Sequence, residues 1–247
     1  FGLEYKRYEN QHAEIYTTES SDRAFEEEVM LSGFANAQTK AEGQGVSFDT
    51  AQETYTARYT HDTIALAFAI TEEAIEDNLY DRLASRYTKA LARSMSNAKQ
   101  VKAVTPLNNG LSSIATFNAG DGVSLFSTNH TTVSGTAVKN TLTTQADLNE
   151  TSLEQSLIDI AGMTDERGLR VAARGVKMII PSANQFNAER LMKSQGRTGT
   201  ADNDINAVAS MGMIPQGYRV NNFLTDTDSW YIITDVPNGM KMFQRAA

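Results

Sequence analysis

Cysteine is absent from this sequence, and with it go disulfide staples, thiolate nucleophiles and cysteine-ligated zinc or iron–sulfur centres. A reducing cytoplasm fits that absence. Histidine is scarce: His12, His61 and His130 are the whole supply, and none lies in an H-E-x-x-H or comparable ligand spacing. Aromatic residues make up only 8% of the chain, which suggests much exposed or shared surface. Positive charge is short as well. Lys and Arg number 22 against 30 Asp and Glu, a formal net charge of -8. That balance excludes a protein that coats nucleic acid with its whole surface, yet it allows a local basic stripe. No apolar run approaches the ~20 residues of a membrane-spanning helix, and the opening FGLEYKRYEN lacks the apolar centre of a signal peptide. The expectation is a soluble chain with no membrane partner.

What is present is a folded composition. The 247 residues, 40% hydrophobic and 21% charged, suffice for a genuine core in one large domain or two small ones. Residues 1–20 are polar, with Phe1, Tyr5, Tyr8 and Tyr16 scattered through them and no sustained period. They read as an arm that packs on something else, or as a poorly ordered terminus. The stretch SDRAFEEEVMLSGF reads as a short helix or as the start of a strand. After it, ANAQTKAEGQGVSFDTAQETYTARYT resembles a long polar β-ribbon, with Gly43 and Gly45 as its turn signal and Lys40 and Glu42 beside them at the tip. Such a ribbon buries too little apolar area to hold itself flat and is expected to lie on a neighbour. HDTIALAFAI alternates Ile64, Leu66, Phe68 and Ile70 with small or polar residues, the pattern of a strand with one buried face.

From Thr71 the sequence predicts one long helix to about Lys102. Thr71 suits the N-cap, and Glu72, Glu73, Glu76 and Asp77 occupy the positive end of the macrodipole, followed by Arg82, Arg86, Lys89, Arg93, Lys99 and Lys102. At ~1.5 Å per residue the rod is on the order of 45 Å long, and Pro106 with the NNG at 108–110 marks its end. Steps of about 100° place Ile75, Leu79, Leu83, Tyr87, Ala90 and Val101 on one arc, expected to rest on a sheet. Arg82, Arg86, Lys89 and Arg93 form a second stripe about a quarter-turn away. Like charges on one row repel, so the stripe reads either as a solvated face or as the seat of a charged partner.

Beyond Gly110 the texture turns to short strands and loops. A second helix opens at capping-box spacing with Thr151 and Glu154, carries Leu153, Leu157, Ile160 and Met163 on its apolar face, and stops at Gly168. VKMIIP is a buried strand. SANQFNAERLMKS is a third helix, with Ser182 and Gln185 again at capping-box spacing. QGRTGTADNDIN is a loop, and GYRVNNFL, SWYIIT and KMFQR give three short strands. This order describes an α+β protein with one elongated and one compact part.

Catalytic patterns are missing. STNH, at 127–130, offers a hydroxyl and an imidazole without the G-x-S-x-G elbow, and DND at 202–204 lacks the spacing of a calcium loop. The glycines make neither a phosphate loop nor a dinucleotide fingerprint. Glu26, Glu27, Glu28 and the acids of 72–81 suit solvated or intersubunit faces better than general acid–base work. Asn129 and Asn149 lie in N-x-T sequons that matter only to a secreted chain. No catalytic residue, cofactor or metal is expected. An arm and a ribbon that need partners, joined to a long rod, suit self-assembly best.

Taken in succession, SDRAFEEEVMLSGF, GVSFDTAQETYTARYTHDTIALAFAITEEAIEDNLYDRLASRYTKALARSM, GDGVSLFSTNH, DLNETSLEQSLIDIAGMTDERG, VKMIIPSANQFNAERLMKS and GTADNDINAVASMGMIPQGYRVNNFLTDTDSWYIITDVPNG resemble the major capsid proteins of tailed bacteriophages with the Hong Kong 97-type fold. The likeness covers nearly the whole chain in order. It implies an N-terminal arm at 1–20 that embraces neighbouring subunits. It implies an extended loop with its flanks at 21–62, a peripheral domain with a spine helix at 63–104, and an axial domain at 105–235 with SQGRTGTADNDIN near the capsomer centre. Residues 236–247 then begin the return to the peripheral domain. Family members continue past the region VPNGMKMFQR, so the resemblance implies a peripheral domain that is incomplete at Ala247.

As function it implies a structural, non-enzymatic head protein that self-assembles in the host bacterial cytoplasm into hexamers and pentamers of an icosahedral shell around double-stranded DNA. Scaffold, portal and decoration proteins and non-specific contacts to packaged DNA are the implied partners, and the virion is the implied location. The stripe Arg82, Arg86, Lys89 and Arg93 is then intersubunit, meeting acids such as Glu26 to Glu28, or DNA-facing. Two alternatives stand beside this: an encapsulin-type nanocompartment shell, and an α+β hydrolase with a site around Asp121, Ser127 and His130.

Overall fold

The computed structural model of the chain describes residues 2–77, 80–197 and 204–245, with side chains at all of these except 74–75, 80–83 and 115. In chain order the elements are α1 (Gly2–Tyr5), β1 (Thr17–Ser20), β2 (Phe25–Leu31), β3 (Glu53–Thr60), α2 (Glu72–Glu76), α3 (Tyr80–Asn108), β4 (His130–Thr131), β5 (Ala137–Val138), α4 (Glu150–Ala161), β6 (Gly175–Ile180), α5 (Gln185–Lys193), α6 (Ala207–Met211), β7 (Tyr218–Val220), β8 (Tyr231–Thr234) and β9 (Lys241–Gln244). Short 3-10 turns lie at Gln11–Glu14, Ala115–Phe117 and Ser182–Asn184.

The compact part is organised by β6, which pairs in parallel with β7 on one side and antiparallel with β8 on the other. Its side chains alternate across the sheet. Met178 and Ile180 enter one core with Leu153 and Leu157 of α4 and Ala188 and Leu191 of α5. Ile179 enters a second core with Val104 and Leu107 of α3, Ile15 and Leu224. Both faces of this strand are covered, which is why Met178, Ile179 and Ile180 run on without alternation, while Lys177 pairs with Glu14 at 2.8 Å.

α4 buries Leu153, Leu157 and Ile160 as expected, but its ends are elsewhere. The N-cap is Asn149, whose side chain accepts from the Ser152 amide at 2.9 Å while the Ser152 hydroxyl accepts from the Asn149 amide at 3.0 Å. The reciprocal pair lies two residues upstream of the expected Thr151 and Glu154, because asparagine and serine make the same box. The helix closes on Gly162. Gly168, with φ 84, instead makes the turn between Asp165 and Leu169. α5 starts after a 3-10 turn, and no side chain caps it, so Ser182 and Gln185 form no box.

Of the rod expected from Thr71, Glu72–Glu76 form α2 and Tyr80–Asn108 form α3, residues 78–79 lie outside the described residues, and Pro106 sits inside the last turn of α3. The buried face of α3 is not the expected arc. Among its described side chains Ala92, Ser96, Gln100, Val104 and Leu107 are buried, whereas Tyr87 and Val101 are each 47% exposed and Ala90 is exposed. Ile75, Leu79 and Leu83 lie outside the described side chains. The reason is what packs there: the segment leading into β1 crosses the helix closely, and small or amide side chains accommodate it. Gln100 accepts from the His12 amide at 3.1 Å and donates to the Glu9 carbonyl at 2.9 Å, and the Tyr16 hydroxyl donates to the Ala103 carbonyl at 2.7 Å. β1 then pairs in parallel with β9.

β2 and β3 form an antiparallel two-stranded ribbon, irregular between Val29 and Leu31. Within SDRAFEEEVMLSGF, Phe25–Leu31 is therefore strand. The ladder stops there, and residues 33–52 have no strand of their own. The strand expected from HDTIALAFAI is likewise not formed, and Leu66 and Phe68 are 55% and 43% exposed. Alternation specifies a strand only where another strand completes the ladder, and among the described residues none pairs with 61–70.

Candidate functional site

Of the basic stripe, Arg86, Lys89 and Arg93 are exposed along α3. Among the described residues none of the three has an ion-pair partner; the side chain of Arg82 lies outside them. Lys89 and Arg93 line an open groove of about 840 Å³ between α3 and residues 4–11, where Glu4 and Glu9 supply opposite charge. Glu4 also pairs with Arg7 at 3.1 Å.

The acids named as counter-charges are occupied within the same chain. Glu26 accepts from the Ser21 hydroxyl at 2.7 Å, Glu27 accepts from Arg58 at 2.6 Å, and Glu28 holds Lys241 of β9. The bond to Glu28 is the main cause that raises the Lys241 ammonium above its ordinary range, with burial opposing it. These pairs join β2, β3 and β9.

At the ribbon tip Lys40, Glu42, Gly43 and Gly45 are all exposed. The Gln44 amide donates to the Ala41 carbonyl at 3.2 Å, closing a turn in which Gly43 takes φ 82, a backbone region glycine enters without strain. Nearer the base, the Ser32 amide donates to the Gln52 carbonyl at 2.8 Å. Asp49 accepts from the Ala35 amide at 2.7 Å and from Arg167 at 2.9 Å on each oxygen. The Ala35 amide first, then Arg167 and the Thr50 amide, hold its carboxyl below the ordinary carboxylate range. This long-range pair carried no signal in the sequence.

The buried titratable groups serve packing. Desolvation lowers the His12 imidazole below its ordinary value, and desolvation raises the Tyr16 phenol. Glu14 is lowered chiefly by its bond from Lys177, at 2.8 Å. Of the group Asp121, Ser127 and His130, the first and last meet at 2.8 Å, but the Ser127 hydroxyl accepts from the Asn129 amide at 3.0 Å. No bond links Ser127 to His130, so the imidazole is not placed to activate it. His61 bonds the buried Ser21 hydroxyl at 2.9 Å. Among the described residues no group of His, Asp and Glu is arranged to hold a metal, and no helix is long and apolar enough to cross a membrane.

Among the described residues α3 thus carries a basic row without ion-pair partners, and the ribbon of β2 and β3 stands beside it. The model of the phage capsid protein family matches residues 53–246. The chain belongs to the phage capsid protein family. Its function is accordingly that of a major capsid protein, building the head of a tailed phage. The fold agrees. Bacteriophage JBD30 capsid aligns with a TM-score of 0.62 at 12% identity, covering 87% of this chain and 91% of that one. The JBD30 capsid decorated with minor capsid protein trimers aligns at 0.60 and 13% identity over 85% and 89% of the two chains. The JBD30 procapsid aligns at 0.53 and 12% identity over 90% and 97%. No curated protein matches.

Several large apolar side chains face outward. Phe48 is 96% exposed, Phe186 and Met211 are 71% exposed, and Leu31 is 64% exposed.

Proposed function

We propose that this capsid protein follows the Hong Kong 97-type plan and assembles in the host bacterial cytoplasm as hexameric and pentameric capsomers of an icosahedral head enclosing double-stranded DNA. Residues 1–20 are the N-terminal arm, 21–62 the extended loop and its flanks, 63–104 the peripheral domain with its spine, 105–235 the axial domain, and 236–247 the start of the return to the peripheral domain. The role is structural and not enzymatic. The observation that supports this best is the family match over 53–246, which takes in the spine helix, the three-stranded sheet and β9 together. Binding energy is spread over many modest interfaces per subunit, so closure of the shell is cooperative although each contact is weak.

Scaffold, portal and decoration proteins and packaged DNA are the further partners of this reading, and the relative solved with minor capsid protein trimers supports the decoration partner. Arg86, Lys89 and Arg93, with Arg82, form the intersubunit face of the spine. With Glu26 to Glu28 occupied in their own chain, that face meets other acids of the neighbour.

Velocity sedimentation of the expressed chain at rising concentration tests the reading. Large closed particles in equilibrium with subunits are expected, and a persistent monomer overturns it. The double variant Arg86→Glu, Arg93→Glu is expected to block particle formation while leaving the subunit's circular dichroism unchanged. Normal particles from that variant would remove the stripe from the interface.

A further inference from the structure

The ladder of β2 and β3 ends at the Leu31–Glu53 pair, and beyond it the extended loop has little local structure to fix its direction. Only the Ser32–Gln52 closure and the 41–44 turn join it to itself by backbone bonds. Asp49 is the exception. Its carboxylate takes the Ala35 amide from one limb at 2.7 Å and the Thr50 amide from the other at 2.9 Å. The same carboxylate is gripped through both oxygens by Arg167.

Arg167 is itself held in place. It sits in a turn where Asp165 Oδ1 accepts the amides of Arg167 at 2.9 Å and Leu169 at 2.8 Å. The Gly168 amide donates to the Asp165 carbonyl at 3.0 Å, and Thr164 bridges Arg170. The Arg167 side chain is only 22% exposed, and its Nη2 alone reaches both Asp49 oxygens, so little rotamer freedom remains to be lost.

We propose that Asp49 and Arg167 form a positioning latch that fixes the extended loop against its own subunit and so presents Val46 and Phe48 to a second copy of this chain. Val46 is 69% exposed and Phe48 96% exposed, and both lie within three residues of the latched carboxylate. An unlatched loop orders its backbone only at the moment of docking and meets the whole entropic cost there. A latched loop has met part of that cost beforehand, so contact with the neighbour is tighter and faster. The second-copy clause rests on the capsid reading; the latch does not.

The chain has no cysteine, so a spin-label pair at Gln44→Cys on the loop and Ile158→Cys on α4 reads the latch directly in the unassembled subunit. A single narrow distance is expected. Arg167→Gln and Asp49→Asn each broaden it, the double variant broadens it no further than either single one, and Arg167→Lys recovers part of the narrow population. In the same preparations Arg167→Gln is expected to slow particle growth about fivefold. Phe48→Ser is expected to slow growth while leaving the distance narrow. A broad distance in the parent chain, an unchanged distance in Arg167→Gln, or additive broadening in the double variant overturns the latch. If the parent forms no particles the capsid reading fails, and the distance measurement still decides the latch.

Discussion

Replacing Gln100 by leucine removes a buried side chain that binds residues 9–12 to α3. Gln100 is 2% exposed and His12 is 3% exposed. The amide oxygen accepts from the His12 amide at 3.1 Å and meets His12 Nδ1 at 3.1 Å, while its nitrogen donates to the Glu9 carbonyl at 2.9 Å. Leucine fills similar volume but satisfies none of these groups. Glu9 is exposed, so water replaces the donor to its carbonyl at small cost. The His12 amide is buried, and leaving it unpaired costs about 1–3 kcal/mol. The stranded imidazole nitrogen adds about 1 kcal/mol, and the extra apolar burial returns about the same amount. The net expectation is a loss of about 2 kcal/mol, in the unassembled subunit, by urea denaturation. Tryptic cleavage after Arg7 should accelerate by more than the global loss explains, because the segment lifts off the spine locally. A change below about 0.5 kcal/mol, with cleavage at Arg7 unaltered, would refute the claim that Gln100 holds the arm.

Other outcomes follow from the same packing. Because burial lowers the His12 imidazole from 6.5, the unfolded chain binds the proton more readily. Stability is therefore fully present above about pH 6.5 and declines as pH falls below it, and His12→Gln should flatten that part of a pH–stability profile. A β-carbon at Gly110 would lie 2.5 Å from the Phe126 ring, so Gly110→Ala is expected to cost about 1–3 kcal/mol by thermal or urea unfolding. Adding Phe126→Leu should recover part of that loss. On α4, Leu153→Ala should cost about 2–5 kcal/mol, whereas Ile158→Ala, at a position 65% exposed, should stay within about 0.5 kcal/mol in the subunit. Equal effects at the two positions would contradict the orientation of α4.

The parts of this fold legible in the sequence are those where burial happens inside one chain. VKMII is a strand because both of its faces are covered by its own helices, and Leu153, Leu157 and Ile160 show the helical spacing of a face that meets that sheet. Legibility fails where burial is shared. HDTIALAFAI alternates as a strand does but has no ladder partner among the described residues. Tyr87 and Val101 mark an apolar arc on the spine that faces outward, while the face that is buried carries Ser96 and Gln100. Gln100 is needed there because residues 9–12 bring a backbone amide and a carbonyl against the helix, and those groups require partners. The Asp49–Arg167 pair left no trace either, since two charges so far apart in the chain have no spacing to reveal them.

Negative-stain electron microscopy of the expressed chain, taken to high concentration near neutral pH, tests the central claim most directly. Uniform closed particles built from hexameric and pentameric units are expected. Featureless fields of single subunits, or open aggregates of no fixed curvature, would contradict it.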